Sequence, residues 1–393
     1  MRATDFTSSR FGEIKKDPIG PWPHPYFLPA SIPRQLPLEA DTVAAVARAS
    51  TALGQLSGFA LLVNDPELLL GPSMAQEALA SSRIEGTEAS LSEVLSSAND
   101  DVLVENENLR EVSNYLKAAT QGITLLETWP FTQCFFCALH ETLLTGTRGE
   151  EKFPGDLRRS PVWIGSPNAR PETAKFIPPL PSELGALLDD WEHFANDPST
   201  MPAVVRAALT HYQFETIHPF LDGNGRIGRL LIGFQLMNEG VLPAPVLHIS
   251  GYFESHRPEY YQRLQAVRER GEIEEWVMFF CAAVEDAAAR SSARIRALLA
   301  LRETYRTQAR TERSSLPALI DAVFRNPVIT VSTIMDAAGL SQPGASKLIH
   351  KAEARGWVTS VGRWGRGGKE RWLAKEVWAA VTDGADFDEE DTK

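Results

Sequence analysis

The stretch from His218 to Arg229 constrains this chain more than any other part of its sequence. It places an imidazole, a carboxylate, an amide, three glycines and two guanidinium groups within twelve residues. The apolar run Leu230 to Ile232 follows at once, so the pattern predicts a loop that leads directly into a helix. Arg226 and Arg229 lie three positions apart and reach the same side of its first turns. A helix N-terminus approached in this way favours anions, because its backbone N–H groups and its dipole attract negative charge.

The other side chains of this stretch suit the handling of a polyphosphate. His218 can act as a general base near neutral pH. Asp222 is a hard oxygen ligand of the kind that Mg²⁺ prefers. Gly223 and Gly225 let backbone N–H groups approach phosphate oxygens closely. The stretch is not a Walker A loop, because it lacks the Gly-Lys-Ser/Thr ending. The alternative is a Gly-Asn turn that only caps a buried helix.

The stretch resembles the signature of the Fic (Fic/Doc) family, His-x-Phe-x-Asp/Glu-Gly-Asn-Gly-Arg-x-x-Arg. Every defined position is matched, by His218, Phe220, Asp222, Gly223, Asn224, Gly225, Arg226 and Arg229. The resemblance implies a mainly α fold, with a Fic-type helical core and a small β-hairpin flap, followed by a winged helix-turn-helix domain. It also implies ATP and Mg²⁺ as the small molecules that the chain uses.

Most members of that family transfer AMP from ATP to a hydroxyl side chain of a protein. The resemblance implies that His218 takes the proton of a Tyr, Ser or Thr hydroxyl. It implies that Asp222 holds Mg²⁺ between the α- and β-phosphates. The amide and glycine N–H groups would stabilise the α-phosphate, and the two arginines would face the β- and γ-phosphates. The nucleotide-binding residues implied along the loop and helix are Gly223, Asn224, Gly225, Arg226, Ile227, Gly228 and Arg229.

A second match lies upstream, at the end of a predicted helix. The segment Ser81 to Gly86 resembles the inhibitory motif of the family, Ser/Thr-x-x-x-Glu-Gly/Asn, with Ser81, Glu85 and Gly86 at its defined positions. The resemblance implies that Glu85 pairs with Arg229. A carboxylate on that guanidinium competes with the γ-phosphate and repels it. The alternative is an ordinary helix end, in which Glu85 is solvated and Gly86 caps the helix.

Two short β-prone runs lie between these motifs, on either side of Ser166-Pro167-Asn168. They predict a hairpin, which resembles the family's flap beside the active site. Such a flap would hold a target segment by strand addition, here through Val162, Trp163, Ile164 and Gly165. The alternative is an ordinary surface hairpin. Tyr261 lies in a stretch that resembles the region covering the adenine, and a core aromatic is the alternative for it.

Helical spacing of apolar residues predicts the remaining organisation. Residues 1–40 are rich in proline and aromatics and predict an extended arm without regular structure. Predicted helices are 41–62, 66–83, 108–127, 132–145, 181–196, 202–215, 257–270 and 274–308, with the signature helix ending near Asn238. The predicted domains are an N-terminal arm and helical region with the inhibitory helix (1–130), a catalytic core (131–308), a winged-helix-like domain (315–382) and an acidic tail (383–393).

The last predicted domain carries a basic charge excess. From Arg310 to Lys375 there are eleven Lys or Arg against five Asp or Glu, within a chain of net charge −12. A predicted helix-turn-helix and two predicted strands resemble a winged helix. Its basic residues are Lys347, His350, Lys351, Arg355, Arg363, Arg366 and Lys369. This placement suits contacts with DNA phosphates, or alternatively a solvated face of a protein-docking or dimerisation domain.

Composition narrows the environment in which the chain is expected to work. The sequence contains no run of 18 apolar residues, so no transmembrane helix is predicted. The N-terminus lacks the apolar stretch of a secretory signal. Three cysteines do not make a disulfide framework, and Cys134 and Cys137 are expected to be buried packing residues. A cytoplasmic location without membrane contact is therefore expected.

Three functional readings follow from the sequence. The first is an auto-inhibited protein adenylyltransferase that acts on a protein of unknown identity and on itself. Its variant is the reverse reaction, in which Glu85 orients water to remove AMP from a modified protein. The third is a nucleotide-sensing DNA-binding regulator, against which His218 argues, because a sensor needs no base. A homodimer is expected by resemblance alone.

Overall fold

The computed structural model describes residues 1–17, 20–63, 66–98, 106–166, 168–312, 314–364, 368–384 and 387. Its helices are α1 (Ala40–Leu61), α2 (Pro66–Ile84), α3 (Leu91–Ser97), α4 (Glu107–Leu126), α5 (Gln133–Leu144), α6 (Leu184–Asn196), α7 (Ala203–Ile217), α8 (Asn224–Asn238), α9 (Ser250–Ser255), α10 (Arg257–Arg270), α11 (Ile273–Ala309), α12 (Leu316–Arg325), α13 (Val331–Ala338), α14 (Gln342–Glu353) and α15 (Lys375–Val381). Its strands are β1 (Gly12–Lys15), β2 (Tyr26–Pro29), β3 (Val328–Ile329), β4 (Thr359–Trp364) and β5 (Lys369–Leu373). The predicted mainly α fold with small antiparallel sheets is confirmed.

The chain forms two compact units, each assembled from two separate segments. Residues 1–54 and 114–287 make the first unit, and residues 55–113 and 288–393 make the second. The signature stretch lies in the first unit, whereas the inhibitory motif lies in the second. This division does not follow the predicted domain boundaries, which remain predictions.

Helix α7 forms the centre of the first unit. Every residue from Val204 to Ile217 is buried, so this helix is enclosed on all sides rather than on one face. The rings of Phe136 and Trp191 lie 5.5 Å and 5.9 Å from the ring of Phe214 on this helix. Burial of so much apolar surface stabilises the fold by roughly 25 cal/mol per Å². The signature stretch therefore begins at the end of a rigid core helix.

Residues 12–15 and 26–29 form an antiparallel two-stranded sheet, so the prediction of an arm without regular structure is wrong for them. Phe27 is fully buried, and its N–H donates to the carbonyl of Ile177 at 2.9 Å. Gly12 pairs with Pro29, and a Cβ atom on Gly12 would lie 2.4 Å from the ring of Phe27. The pairing therefore needs a glycine at position 12. The buried ring of Phe27 anchors this sheet, in a segment whose proline content predicted no regular structure.

The predicted flap is a turn with one antiparallel bridge, between Ile164 and Phe176, rather than two strands. Backbone hydrogen bonds close it in both directions: the Ile164 N–H donates to the Phe176 carbonyl at 2.8 Å, and the N–H groups of Lys175 and Phe176 donate to the Ile164 carbonyl at 2.9 Å and 3.2 Å. Trp163 is exposed, donates to the carbonyl of Ala169 at 2.7 Å and stacks on Trp22. Val162 and Gly165 flank the bridge without joining a strand. Pro167 of the predicted turn lies outside the described residues.

In the second unit, α12 to α14, β4 and β5 occur in the order predicted for a winged helix, and the sheet order is β3-β5-β4. The short elements α3, β3 and α15 were not predicted. Assignment to the winged-helix class stays a prediction. Arg366 in the β4–β5 loop and most of the acidic tail lie outside the described residues.

Helix α3, which follows the inhibitory motif, is fastened to the C-terminal part of this unit. Ser90 and Glu93 form a capping box at its start. At its end, Asn326 donates to the carbonyl of Leu95 at 2.7 Å, and Arg371 donates to that of Ser96 at 2.9 Å. The last carbonyls of a helix lack intrahelical partners, so residues far along the chain satisfy them.

The cysteines form no disulfide among the described residues. Cys134 is exposed, so the prediction of burial is wrong for it. Cys137 is half-buried, and burial raises the pKa of its thiol to about 12. A thiol with so high a pKa carries almost no thiolate at neutral pH and is a poor nucleophile or metal ligand.

Candidate active site

His218 ends α7 in an unusual backbone conformation. Its φ of 52° and ψ of 62° place it in the left-handed region, which residues other than glycine rarely adopt. Its N–H still donates to the carbonyl of Phe214 at 2.9 Å, so the turn closes the helix as an αL cap. The strained cap turns the chain sharply and presents the imidazole at the start of the loop.

Arg158 stabilises this turn through hydrogen bonds to its backbone carbonyls. Its Nε atom donates to the carbonyl of His218 at 2.8 Å, and Nη2 donates to those of Ile217 at 3.3 Å and Pro179 at 2.5 Å. Its own backbone N–H donates to the carbonyl of Pro219 at 2.9 Å. A buried guanidinium thus satisfies carbonyls that the end of α7 leaves open. No motif in the sequence pointed to a role for Arg158 at this site.

The imidazole of His218 is neutral in this environment. Burial lowers its pKa to about 3, helped by the nearby charges of Arg158 and Arg268, while a hydrogen bond with the backbone of Glu215 works in the opposite direction. A neutral imidazole can accept a proton at any pH near neutrality. The site therefore supplies the protonation state that a general base requires.

The loop after His218 is tied into a fixed shape by Asn224. The Phe220 N–H donates to the Asn224 side-chain oxygen at 2.9 Å, and the Asn224 side-chain amide donates to the Phe220 carbonyl at 2.9 Å. Gly223, which directly precedes Asn224, lies in the left-handed region with a φ of 76° and forms the N-cap of α8. In this structure the Asn224 side chain therefore shapes the loop, and its contact with a phosphate remains a prediction.

The first turn of α8 presents an anion site of the predicted kind. The helix starts at Asn224, so the N–H groups at its start, including that of Gly225, belong to the turn that lacks intrahelical partners. Arg226 and Arg229 on this helix are both buried, at 5% and 2% exposure. Ile227 is fully buried and anchors the helix in the core. Two buried guanidinium groups beside a helix N-terminus attract multiply charged anions.

Asp222 offers one accessible carboxylate at this turn. Its side chain is 48% exposed and lies 3.5 Å from the guanidinium of Arg226, measured from Oδ1 to Nη2. Among the described residues, no group of three or more His, Cys, Asp or Glu side chains could hold a metal. A single carboxylate still fits Mg²⁺, because this ion is commonly bound by one or two carboxylates together with substrate phosphates. The residues present therefore suit a cation that arrives with a nucleotide.

His140, which lies on α5, supports the loop that follows His218. No sequence motif pointed to this residue either. It is fully buried, its ring stacks on Phe220 with centroids 3.7 Å apart, and Nε2 lies 3.1 Å from the carbonyl of Asp222. Burial lowers its pKa to about 4, so it is neutral. The chain separation of 82 residues between His140 and Asp222 explains why no motif pointed to it.

A third buried histidine joins the two helices of the signature. His211 on α7 lies 3.0 Å from the carbonyl of Gly228 and 2.8 Å from the hydroxyl of Tyr260, and burial lowers its pKa to about 3. A Cβ atom on Gly228 would lie 2.6 Å from the Glu215 carboxylate. Gly228 therefore permits the close approach of α7 and α8. Whether it also contacts a nucleotide remains a prediction.

The structure does not test the roles predicted for Tyr261 and Glu85. Tyr261 on α10 is 42% exposed, and the guanidinium of Arg257 lies 5.9 Å from the centre of its ring. It is therefore not a core aromatic, and its contact with adenine stays a prediction. Glu85 is exposed and follows the end of α2, where Ser81 is buried and Gly86 has a φ of 96°. Glu85 and Arg229 belong to different compact units, so their pairing stays a prediction.

The basic residues of the C-terminal part are largely paired within the chain. Glu312 forms ion pairs with both Lys351 and Arg355. His350 lies 3.2 Å from the carboxylate of Glu353, and Arg363 lies 3.4 Å from that of Glu370. Paired cations attract DNA phosphates less than solvated ones. Contact with DNA therefore stays a prediction, and these pairs weigh against it.

Comparison with known proteins agrees with this geometry. Residues 43–124 match the Fic/DOC family N-terminal region, and residues 130–236 match the Fic/DOC family. The chain is similar to "Protein adenylyltransferase Fic" of Drosophila virilis, at 35% identity over 33% of this chain and 24% of that protein. The protein of the same name from Aedes aegypti is also 35% identical, over 33% of this chain and 23% of its own length. The match thus spans about a quarter of these curated relatives.

Two solved structures share the fold. A Fic family protein from Desulfovibrio desulfuricans G20 superposes with a TM-score of 0.54 at 22% identity, over 86% of this chain and 97% of that one. Fic-1 from C. elegans gives a TM-score of 0.50 at 21% identity, over 63% of this chain and 72% of that one. Among the described residues, no helix combines the length and hydropathy that crossing a membrane requires. With the signature residues gathered at one turn, residues 43–124 and 130–236 carry the N-terminal and Fic/DOC domains of the Fic/DOC family.

Proposed function

We propose that this chain transfers AMP from ATP to hydroxyl groups of proteins, including its own. One observation carries the proposal: a single turn joins the neutral imidazole of His218, the accessible carboxylate of Asp222 and the N-terminus of α8 with its buried arginines. Proton acceptor, metal ligand and anion cradle are the parts that phosphoryl-type transfer requires. The adenylyltransferase name of the curated relatives points the same way.

The reaction balances with groups that this turn provides. His218 takes the proton of the incoming Tyr, Ser or Thr hydroxyl, whose oxygen forms a bond to the α-phosphorus of ATP. The bond between that phosphorus and the oxygen bridging to the β-phosphate breaks, and pyrophosphate leaves. Asp222 would hold Mg²⁺, which neutralises charge on the phosphates. The N–H groups at the start of α8 face the α-phosphate, and Arg226 and Arg229 face the β- and γ-phosphates.

We further propose that the segment with Glu85 restrains this activity. A carboxylate that pairs with Arg229 would occupy the guanidinium meant for the γ-phosphate, so ATP would bind in a non-productive pose. The resemblance of Ser81 to Gly86 to the family's inhibitory motif supports this. Removal of AMP from a modified protein, with Glu85 orienting water, uses the same parts and is the competing direction.

The target segment is proposed to dock on the flap. Ile164 of this edge forms a backbone bridge to Phe176. Main-chain pairing with an extended segment would align a hydroxyl with His218 irrespective of sequence. Trp163, which is exposed beside the bridge, offers an aromatic surface to such a segment. The identity of the target protein is not encoded in any of these features.

Incubation with ATP labelled at the α-phosphate, with Mg²⁺, tests the proposal. Intact-mass spectrometry should find one added adenylyl group, weak in the wild type, stronger in Glu85→Gly and absent in His218→Ala. Glu88→Gly, a change at a nearby exposed acid, should resemble the wild type. Loss of the γ-phosphate alone, with no adenylyl group on any protein, would refute AMP transfer. Equal labelling in wild type and Glu85→Gly would refute the restraint.

Arg229→Ala separates the two roles proposed for that residue. Labelling should stay low, because loss of the restraint is offset by loss of a γ-phosphate contact. Labelling as strong as in Glu85→Gly would mean that Arg229 does not orient ATP. A gel shift with duplex DNA that is strong, salt-dependent and indifferent to His218→Ala would favour the DNA-binding regulator instead.

A further inference from the structure

We propose that His140 is a positioning residue of this site, which fixes the backbone of Asp222 and so aims the carboxylate at the cation that ATP brings. The inference rests on the proposed function, since it takes Asp222 as the metal ligand. His140 touches neither of the reacting groups and acts through its neighbour. It lies on α5, in the same compact unit as the signature stretch.

Two hydrogen bonds fix which nitrogen of His140 carries the proton. The backbone N–H of Gly155 donates to Nδ1 at 2.9 Å, so Nδ1 is an acceptor and carries no hydrogen. In a neutral imidazole the proton then resides on Nε2. Nε2 lies 3.1 Å from the carbonyl of Asp222 and donates to it. The ring thus bridges Gly155 to Asp222 with a defined direction.

The face of the ring fixes the rest of the loop. It lies nearly parallel to the ring of Phe220, at 6° and a centroid distance of 3.7 Å. Its Cδ2 atom would lie 3.4 Å from a Cβ placed on Gly223. His140 therefore contacts the loop at Phe220 and at Asp222, and it closes off the space beside Gly223. A single buried side chain defines the path of the backbone that carries the proposed metal ligand.

The carboxylate of Asp222 depends on such support because its own side chain is half exposed. Its Oδ1 atom accepts a hydrogen bond of 2.6 Å from the Gly223 N–H, so the direction of the carboxylate is set by the same turn of backbone whose carbonyl His140 holds. Groups that orient a metal ligand through hydrogen bonds typically contribute about ten- to a hundredfold to metal affinity or activity. Loss of the hydrogen bond from Nε2 should therefore lower the affinity for the cation more than the affinity for the nucleotide.

Two substitutions divide the hydrogen bonds of His140. In His140→Gln the side-chain amide can replace Nε2 as a donor to Asp222, whereas in His140→Asn the side-chain oxygen can replace only Nδ1 as an acceptor for Gly155. Both variants lose the ring that stacks on Phe220, so each serves as the control for the other. Thermal unfolding of both variants reports the cost of the lost ring.

The main readout is Mn²⁺ affinity, measured by electron paramagnetic resonance with a non-hydrolysable ATP analogue present. His140→Asn should lower the affinity for Mn²⁺ about tenfold or more, while the affinity of His140→Gln should stay close to that of the wild type. The Mg²⁺ concentration for half-maximal self-labelling should shift in the same direction, in chains that also carry Glu85→Gly. Equal Mn²⁺ affinities in the two variants would reduce His140 to a packing residue and overturn the inference.

A second measurement needs no substitution. The ¹⁵N chemical shifts of the His140 ring in the wild-type protein should show a protonated Nε2 and a bare Nδ1. The opposite tautomer would overturn the inference even if neither variant folds. Failure of the proposed function looks different, because it removes Mg²⁺-dependent labelling from the wild type and Glu85→Gly alike and leaves the tautomer unchanged.

Discussion

The Nε atom of Arg158 donates a hydrogen bond of 2.8 Å to the backbone carbonyl of His218. The contact joins a buried cation to the left-handed cap of α7, a conformation that costs a residue other than glycine of order 1–3 kcal/mol. The same guanidinium helps keep the imidazole neutral, because its charge disfavours protonation of His218. One arginine thus holds the turn that directs the proposed base and adds to the effect of burial, which is the main reason that the imidazole is neutral.

Arg158→Met should therefore lower the self-labelling rate strongly. The change removes donors to the carbonyls of Pro179, Ile217 and His218, and a lost hydrogen bond to a charged group typically costs about 1.5–3 kcal/mol. The neighbouring Arg159 is an exposed residue paired with Asp156 at 3.2 Å, so Arg159→Met is the matched control. Rates measured in chains that also carry Glu85→Gly should fall about tenfold or more for the first change and little for the second. Equal labelling rates in Arg158→Met and Arg159→Met would mean that Arg158 does not position His218.

The pH dependence of labelling should show no inflection near 6.5. The pKa of His218 is lowered to about 3, so the base form persists as the pH falls from 8 to 5. Saturating ATP and Mg²⁺ with the Glu85→Gly chain allow the chemical step to be followed. A rate that halves near pH 6.5 would mean that the imidazole titrates as it does in water.

Stability, by contrast, should fall with acidity. The pKa values of His140 and His211 are lowered to about 4 and about 3 in the folded chain, whereas the ordinary value is 6.5. Below pH 6.5 the unfolded chain therefore binds protons that the folded chain refuses. Each histidine then removes about 1.4 kcal/mol per pH unit from the free energy of unfolding, until its folded pKa is reached.

Denaturant unfolding at pH 7 and pH 5 measures this loss. His211→Gln removes one of the buried histidines with a lowered pKa, which also include His140 and His218, so its loss of stability between the two pH values should be smaller than that of the wild type. An identical loss in both chains would show that His211 is not held neutral.

Gly228→Ala should destabilise the chain even though alanine is the better helix former. Its Cβ atom would lie 2.6 Å from the Glu215 carboxylate and 3.3 Å from the ring of Phe214. Overpacking of this kind typically costs about 1–3 kcal/mol. Gly233 on the same helix has no atom within 4 Å of such a Cβ, so Gly233→Ala should stabilise by up to about 1 kcal/mol. Thermal unfolding of the two variants should therefore shift in opposite directions, and parallel shifts would contradict the close approach of α7 and α8.

Arg371→Met should loosen α3. Arg371 is buried at 1% exposure and donates to the Ser96 carbonyl at 2.9 Å. Hydrogen exchange of residues 91–97 should accelerate about ten- to a hundredfold, in line with the loss of a charged hydrogen bond. Arg363→Met removes an exposed cation from the neighbouring strand and should leave that exchange unchanged. Unchanged exchange in both variants would mean that α3 is held by other contacts.

The sequence predicted those parts of the fold and site that are local along the chain. Periodic apolar residues located the long helices, and α8 follows the signature loop directly, as the apolar run predicted. Short elements escaped, because α3 has seven residues and β3 has two, too few for a period to be read. The bridge at Ile164 depends on its distant partner Phe176 rather than on β propensity.

The supporting residues of the site could not be predicted from local patterns. Arg158 and His140 lie 60 and 82 positions from the backbone groups that they hold. Both act on carbonyl oxygens, which every residue possesses, so no side-chain motif marks their partners. Only the packing of α5 and of the segment before the flap against the end of α7 brings them together.

The division of the chain has a consequence for how the protein is made. Residues 55–113, which include the segment with Glu85, share a compact unit with residues that begin at 288. A ribosome therefore releases the earlier half of that unit long before the later half exists. During this interval the carbonyls of Leu95 and Ser96 have neither Asn326 nor Arg371 to bind. Contacts so remote in sequence form slowly, and a nascent chain that waits for them exposes apolar surface to chaperones.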